Sequence, residues 1–97
     1  MAFYTYIVAS RRNGTLYAGH TDDLPRRLEE HRGLMLDGFT AKHRCTILVW
    51  YEVFQSRDEA FRRERRIKEW RRSWKLMLIE AENPTWRDLS ISLNLNA

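Results

Sequence analysis

The chain has 97 residues and a formal net charge of +4, with 43% hydrophobic and 31% charged residues. This length supports one domain with a modest core and excludes two domains with separate cores. No apolar run reaches about 18 residues and no basic leader opens the chain, so we expect neither a membrane span nor a secretory signal. A lone cysteine, Cys45, predicts a cytoplasmic protein in which this thiol is a core residue and not a nucleophile.

A β-hairpin is predicted at the start of the chain. Residues 3–9 are rich in aromatic and β-branched side chains, and an Asn-Gly pair at positions 13 and 14 favours a tight turn before a return strand over 15–20. With a two-residue turn, even-numbered residues of the first strand oppose odd-numbered residues of the second, which places Tyr6 and Tyr17 on one face. A longer loop would change the register, so this inference depends on the turn length.

A helix is predicted after the hairpin, with Asp22 or Asp23 as its cap, a proline in its first turn and Gly33 at its end. Its inward stripe contains Leu24, Leu28 and His31, and Arg27 falls within that stripe. An inward arginine is costly unless it meets an anion or a carboxylate. A histidine in such a stripe is more often a hydrogen-bonded core residue than a catalyst.

The remaining elements follow in order. Residues 46–54 are almost continuously apolar and predict a central strand that is covered on both faces. Ser56 is a helix cap, with Glu59 completing a capping box, for a helix that runs to about residue 70. A further helix is expected over 73–82. We expect one domain over residues 1–90 and a disordered tail over 91–97.

Basic residues are concentrated in the C-terminal half, where residues 57–75 include nine Arg or Lys and four Asp or Glu. Such a stripe attracts phosphates, although a solvated, ion-paired helix face is the simpler interpretation of charge alone. For the basic end of the loop before Cys45, contact with a nucleic-acid backbone and simple solvation are equally good interpretations. The candidate phosphate contacts are Lys42, Arg44, Arg57, Lys68 and Arg71.

One carboxylate of the predicted helix after Ser56 is expected to face the protein. At about 100° per residue, Ala60, Phe61 and Ile67 define the inward arc and Glu64 falls between them. A structural ion pair explains an inward glutamate adequately. Together with an inward arginine and paired phenols, a catalytic carboxylate becomes a competing explanation.

Five short motifs, in this order, resemble those of the GIY-YIG endonuclease family, and in particular its small, stand-alone bacterial branch. They are Tyr4-Thr5-Tyr6-Ile7, Leu16-Tyr17-Ala18-Gly19, Arg26-Arg27 with His31, Arg63-Glu64-Arg65 with Ile67-Lys68, and Asn83-Pro84. The resemblance covers residues 3 to about 89. It implies an α+β fold with a three-stranded antiparallel sheet flanked by helices.

The resemblance also implies a metal-dependent hydrolysis of nucleic acid, with DNA as the expected substrate. By position, Tyr17 matches the tyrosine proposed as general base, and Tyr6 matches the tyrosine that supports the site. Arg27 matches the arginine that holds the scissile phosphate. Glu64 matches the carboxylate that binds a single Mg²⁺ or Mn²⁺ ion.

Other matches have weaker assignments. His20 stands where some relatives carry a lysine near the nucleophile, so it is a candidate for proton transfer or a plain exposed histidine. Gly19, His31 and Asn83 are expected to be structural or to support the substrate.

Several positions depart from the family pattern. Tyr4 and Thr5 replace the Gly-Ile of the first motif, and Ala18 replaces an isoleucine. These departures are expected to be tolerated, because Tyr6, Tyr17 and Gly19 remain.

Two other functions stay open, because an active-site pattern does not prove turnover. One is a non-catalytic nucleic-acid-binding module, and the other is a protein-interaction domain that uses four tryptophans: Trp50, Trp70, Trp74 and Trp86. A monomer is the default expectation.

Overall fold

The structure is a computed structural model that describes residues 2–33 and 44–91. The predicted tail lies outside the described residues except for Ile91. Within the described parts of the chain there are three strands and three helices, and their bounds are β1 Phe3–Ala9, β2 Leu16–Thr21, α1 Leu24–Arg32, β3 Ile47–Phe54, α2 Arg57–Glu69 and α3 Arg72–Glu82.

The described strands form one antiparallel sheet in the order β2-β1-β3, so the predicted fold class is confirmed. The prediction that residues 46–54 form the central strand is wrong, because β1 is central and β3 is at an edge. The apolar run led to this error because both faces of β3 are covered, which gives an edge strand the composition of a central one. Its outer edge is covered as well: Leu48 accepts a backbone hydrogen bond from Leu89 N at 2.8 Å, and Val49 accepts one from the Asn83 side chain at 3.1 Å.

The hairpin loop is longer than the two residues expected. Ala9 pairs with Leu16, and Ser10 N donates to Thr15 O at 3.0 Å, which leaves four loop residues. The longer loop shifts the register by two residues. An even shift preserves the alternation of faces, so the paired tyrosines still lie on the same side of the sheet.

The helices α1 and α2 begin with the expected caps, whereas α3 has no side-chain cap. Asp23 accepts a hydrogen bond from Arg26 N at the start of α1, and Ser56 accepts one from Glu59 N at the start of α2. On α2 the buried residues include Glu64, as predicted, but Phe61 was wrongly placed inward and is 41% exposed. None of the helices within the described residues is both long enough and apolar enough to cross a membrane.

The two faces of the sheet carry separate apolar clusters. One face packs against α2 and α3 through Ile7, Val49, Ile67 and Ile79. The opposite face packs against α1 through the cluster of Tyr6, Val8, Leu24, Leu28, Cys45 and Leu48. Cys45 is fully buried, as predicted. The outer strand β2 is therefore reached by α1 from one side and by α2 from the other.

Candidate active site

The two tyrosines of the hairpin lie next to each other on the face that α1 covers. Tyr6 on β1 pairs with Gly19, whereas Tyr17 on β2 pairs with Val8, two residues further along β1. Residues two apart on a strand project from the same face, so the two phenols are diagonal neighbours. Tyr6 is 2% exposed, and Tyr17 is partly buried at the edge of the sheet.

Gly19 is the residue over which the Tyr6 ring passes. A Cβ atom at this position would lie 2.5 Å from the Tyr6 hydroxyl and 2.7 Å from its Cζ atom. These distances are far below van der Waals contact, so a side chain at Gly19 would displace the phenol. The glycine of the second motif therefore has a structural role, which is to admit the tyrosine of the first.

His31 joins the two phenols from α1. Its Nε2 atom lies 3.0 Å from the Tyr6 hydroxyl, and its ring contacts the rings of Tyr6 and Tyr17 edge-on, with centroids 5.7 and 5.6 Å apart. Burial lowers the pKa of His31 to about 4, with a further contribution from Arg27. Burial also raises the pKa of Tyr6 well above its ordinary value. Both groups are therefore neutral at neutral pH.

Arg27 lies at the edge of the α1 stripe, with its side chain 37% exposed and Nε 3.6 Å from a Glu30 oxygen. Burial has the largest effect on the pKa of Tyr6, but the positive charge of Arg27 opposes that rise. The guanidinium is therefore close enough to act on the Tyr6 phenol and is still accessible. A bidentate donor in this position suits the non-bridging oxygens of a phosphate.

Glu64 lies against the hairpin, and not in bulk solvent, with 7% of its surface exposed. One carboxylate oxygen is 2.5 Å from His20 Nδ1, and the other is 2.8 Å from Lys68 Nζ. The Lys68 ammonium is in turn 5.3 Å from the centroid of the Tyr17 ring. The carboxylate is thereby connected to the second tyrosine through a single lysine.

His20 occupies neither a plain solvent position nor the core. Its side chain is 24% exposed, and its ring packs edge-on against Phe61 with the centroids 5.4 Å apart. Phe61 and Glu64 are both on α2, so the histidine is held by two residues of one helix. This contact explains why the aromatic ring of Phe61 is on the site side of the helix and not in the core.

Some of the predicted site residues lie elsewhere. Asn83 is 2% exposed, and its amide bonds to the backbone of Val49 and Arg87, so it holds the C-terminal segment against β3. Arg57 pairs with Asp22 at 2.9 Å. Lys42 lies outside the described residues.

Two more of the predicted phosphate contacts are on the surface. Arg44 is exposed in a positive-φ conformation, with φ of 53°. Arg71 is 5.2 Å from the Trp74 ring centroid. Among the described members of that set, Lys68 is the one that the structure brings to the paired tyrosines. Its role beside Tyr17 was missed, although its i+4 spacing from Glu64 is a readable signal for an ion pair.

Comparison with known proteins shows the family to which the chain belongs. The family model described as the GIY-YIG catalytic domain matches residues 2–77. The chain belongs to the GIY-YIG family. GIY-YIG domains are in general nucleases that act on nucleic acid with a divalent metal.

The similar proteins are small, stand-alone members of this family. A UPF0213 protein of Staphylococcus haemolyticus is 39% identical over 77 residues, which is 79% of this chain and 93% of that protein. A UPF0213 protein of Bacillus pumilus is 36% identical over 77 residues, covering 79% of this chain and 78% of the relative. The solution NMR structure of a UPF0213 protein from Bacillus halodurans is 28% identical, with a TM-score of 0.57, and the match covers 93% of this chain and 95% of the other.

The donor atoms of the site fit a metal ion that the substrate helps to bind. Within residues 2–33 and 44–91, no group of three or more His, Cys, Asp or Glu side chains could hold a metal. A protein-only site, such as a structural zinc site, is therefore not formed by these residues. Mg²⁺ commonly takes one or two carboxylates and completes its shell with water and phosphate oxygens. Glu64 fits that pattern, provided that the ion takes the place of the Lys68 ammonium.

Proposed function

We propose that this GIY-YIG chain is an endonuclease that hydrolyses phosphodiester bonds of DNA with the help of one divalent ion, Mg²⁺ or Mn²⁺. The observation that supports this most strongly is the position of Glu64. A nearly buried carboxylate is directed toward the hairpin that carries both tyrosines, and the accessible Arg27 acts on the Tyr6 phenol. Hydrolysis of a phosphodiester requires a base, a cation and a donor to the phosphate, and these residues supply candidates for each.

Tyr17 is the proposed general base, and the contrast with Tyr6 supports this choice. Tyr6 is buried, hydrogen-bonded to His31 and has a raised pKa, so it keeps its proton. Tyr17 lies at the sheet edge with the Lys68 ammonium beside its ring. A general base must be within reach of the attacking water, and the partly exposed Tyr17 meets that condition better than the buried Tyr6.

The other residues bind and orient. Arg27 would hold the non-bridging oxygens of the scissile phosphate and stabilise the charge that develops on them. Glu64 would hold the divalent ion, which when bound supplies Lewis-acid stabilisation of the phosphate and the leaving oxygen. His20 donates from Nδ1 to Glu64 and so fixes the direction of the carboxylate.

A non-catalytic nucleic-acid-binding module is the second candidate, and one contact favours it. Both oxygens of Glu64 are already engaged, by His20 and by Lys68. If the ammonium is not displaced, the carboxylate is a structural ion-pair partner. The site then binds phosphate without cleaving it.

The test is a cleavage assay on supercoiled, linear, branched and single-stranded DNA and on RNA, with Mg²⁺, Mn²⁺ or chelator. We expect metal-dependent cleavage of at least one DNA substrate, and its loss with retained binding in Arg27→Ala. Arg26→Ala is the matched control, because Arg26 precedes it on α1 and its side chain is 76% exposed. Binding by the wild type without cleavage of any of these substrates would support the second candidate.

A further inference from the structure

A groove runs along β2 on the side of the sheet that α2 and α3 cover, and it begins at Tyr17. One cavity of about 300 Å³ includes Tyr17 and Lys68 in its lining, and a second of about 480 Å³ lies beside the hairpin loop and the start of α3. Leu16 and Lys75 line both cavities. The two cavities therefore form one continuous path from the site to the loop.

The charge of this groove has one sign. Within the described residues, its ionisable lining consists of Lys68, Lys75, Arg72 and Arg11 apart from the Tyr17 phenol, and it includes no carboxylate. Of these, Lys68 pairs with Glu64 at the site end. The groove therefore combines positive charge with an apolar floor, and this combination suits the phosphates and sugars of a nucleic-acid strand.

The opposite flank of the site has mixed charge. A cavity beside the start of α1 is lined by two arginines together with three carboxylates, from Asp22, Asp23 and Glu30. Those carboxylates offset the positive charge of the arginines beside them, so a strand that leaves the scissile position is attracted more strongly along β2 than on that side. The difference gives the substrate a direction across the protein.

Arg72 makes the far end of the groove rigid. Its guanidinium donates to the carbonyl oxygens of Asn13 and Gly14 at 2.9 and 2.7 Å, which fixes the hairpin loop to the first turn of α3. Arg11 and Lys75 lie on either side of this clamp in the same cavity. The two side chains are thereby presented from the loop and from the helix toward one strand.

We propose that one strand of the nucleic-acid substrate follows this groove, with its phosphates against Lys75 and Arg11, and so passes from Tyr17 toward the hairpin loop. This proposal rests on the proposed function, because it names where the substrate of that site lies. It assigns specific phosphate contacts to two residues that the basic-stripe argument did not single out.

The test compares a groove variant with a matched variant of equal charge. Arg11→Gln with Lys75→Gln removes the two groove contacts, and Arg66→Gln with Arg87→Gln removes two exposed charges outside the groove lining. Binding of a fluorescein-labelled DNA duplex is measured by anisotropy over a salt series in chelator, so that no cleavage is needed. Near-ultraviolet circular dichroism checks the fold of each variant.

Two lost phosphate contacts should reduce the slope of log Kobs against log[salt] by about 2 for the groove variant, with binding about tenfold weaker at moderate salt. The control variant should keep a slope close to that of the wild type. Equal slopes for the two variants would overturn the proposal that the strand follows this groove. In the wild type, DNA should also protect Lys75 from acetylation, and unchanged modification of Lys75 in saturating DNA would overturn the groove even if the groove variant failed to fold.

The two proposals fail in different ways. If the wild type binds DNA with the expected dependence on the groove residues but never cleaves it, the endonuclease proposal is rejected and the groove proposal is kept. If the wild type cleaves DNA and the groove variant binds and cleaves like its control, the groove proposal is rejected and the endonuclease proposal is kept.

Discussion

The two halves of the site, on either side of Tyr17, differ in burial and charge. On the α1 side, Tyr6 and His31 are buried, neutral and bonded to each other at 3.0 Å. On the α2 side, Glu64 bonds to a partly exposed histidine and forms an ion pair with a lysine. A buried group with a strongly shifted pKa does not exchange protons at neutral pH, so the difference separates a half that shapes the site from a half that can do chemistry.

The largest expected effect is on the charged half. Glu64→Gln should reduce metal-dependent cleavage by about 10³-fold or more, since it removes the carboxylate ligand while keeping the shape of the side chain. Initial rates on a labelled DNA substrate measure this. Glu69→Gln, an exposed change on the same helix, is the control and should cleave normally. An active Glu64→Gln enzyme would assign the residue a structural role.

The comparison between the two tyrosines sharpens the division of roles. Tyr17→Phe should lower the cleavage rate by about 10²- to 10⁴-fold, which is the usual contribution of a general base. Tyr6→Phe removes one hydrogen bond to His31 and should lower the rate by roughly tenfold or less, with a stability loss of about 1 kcal/mol. Rates and urea unfolding are measured for both variants. The reverse order of rates would exchange the roles of the two phenols.

The close approach at Gly19 predicts a loss of stability in the buried half. Gly19→Ala should destabilise the fold by about 1–3 kcal/mol, because the new methyl group overlaps the Tyr6 ring. Gly33→Ala is the control, since Gly33 has an ordinary helical φ of −77°, and its stability should change by no more than about 0.5 kcal/mol. Equal effects in urea unfolding would show that Tyr6 moves at little cost.

The depressed pKa of His31 predicts a dependence of stability on pH. The unfolded chain binds a proton at this histidine near pH 6.5, whereas the folded chain does so only near pH 4. Stability should therefore fall as the pH drops through this window, by about 2 kcal/mol between pH 7 and pH 5. The difference in unfolding free energy between wild type and His31→Gln, measured at both pH values, isolates this effect. A difference that does not change with pH would show that His31 titrates normally.

Local signals predicted the elements well. Caps at Asp23 and Ser56 depend on contacts within one turn, and the alternation of faces along the hairpin needs only the parity of the register. The order of the strands could not be predicted in this way. A strand such as β3, covered on both faces and along its outer edge by the C-terminal segment, has the same composition as a central strand.

The inward direction of Glu64 was predictable from the sequence, but its contact with the hairpin was not. Helical periodicity directed Glu64 inward, and the i+4 spacing of Lys68 indicated an ion pair within the helix, but the bond to His20 crosses 44 residues from α2 to β2 and has no local signal. The same periodicity placed Phe61 in the core. The prediction for Phe61 failed because the ring packs against His20 outside the core. A contact between two elements cannot be predicted from the periodicity of one helix.

The central claim is that Glu64 binds a single divalent metal ion at this site once DNA is bound. The direct measurement is Mn²⁺ binding, followed by the electron paramagnetic resonance of free Mn²⁺, to complexes of DNA with Tyr17→Phe, a variant in which cleavage is suppressed. Relative to DNA alone, we predict one additional bound Mn²⁺ per complex, and none when Glu64→Gln is added to Tyr17→Phe. The same number of bound ions in both complexes would contradict the account.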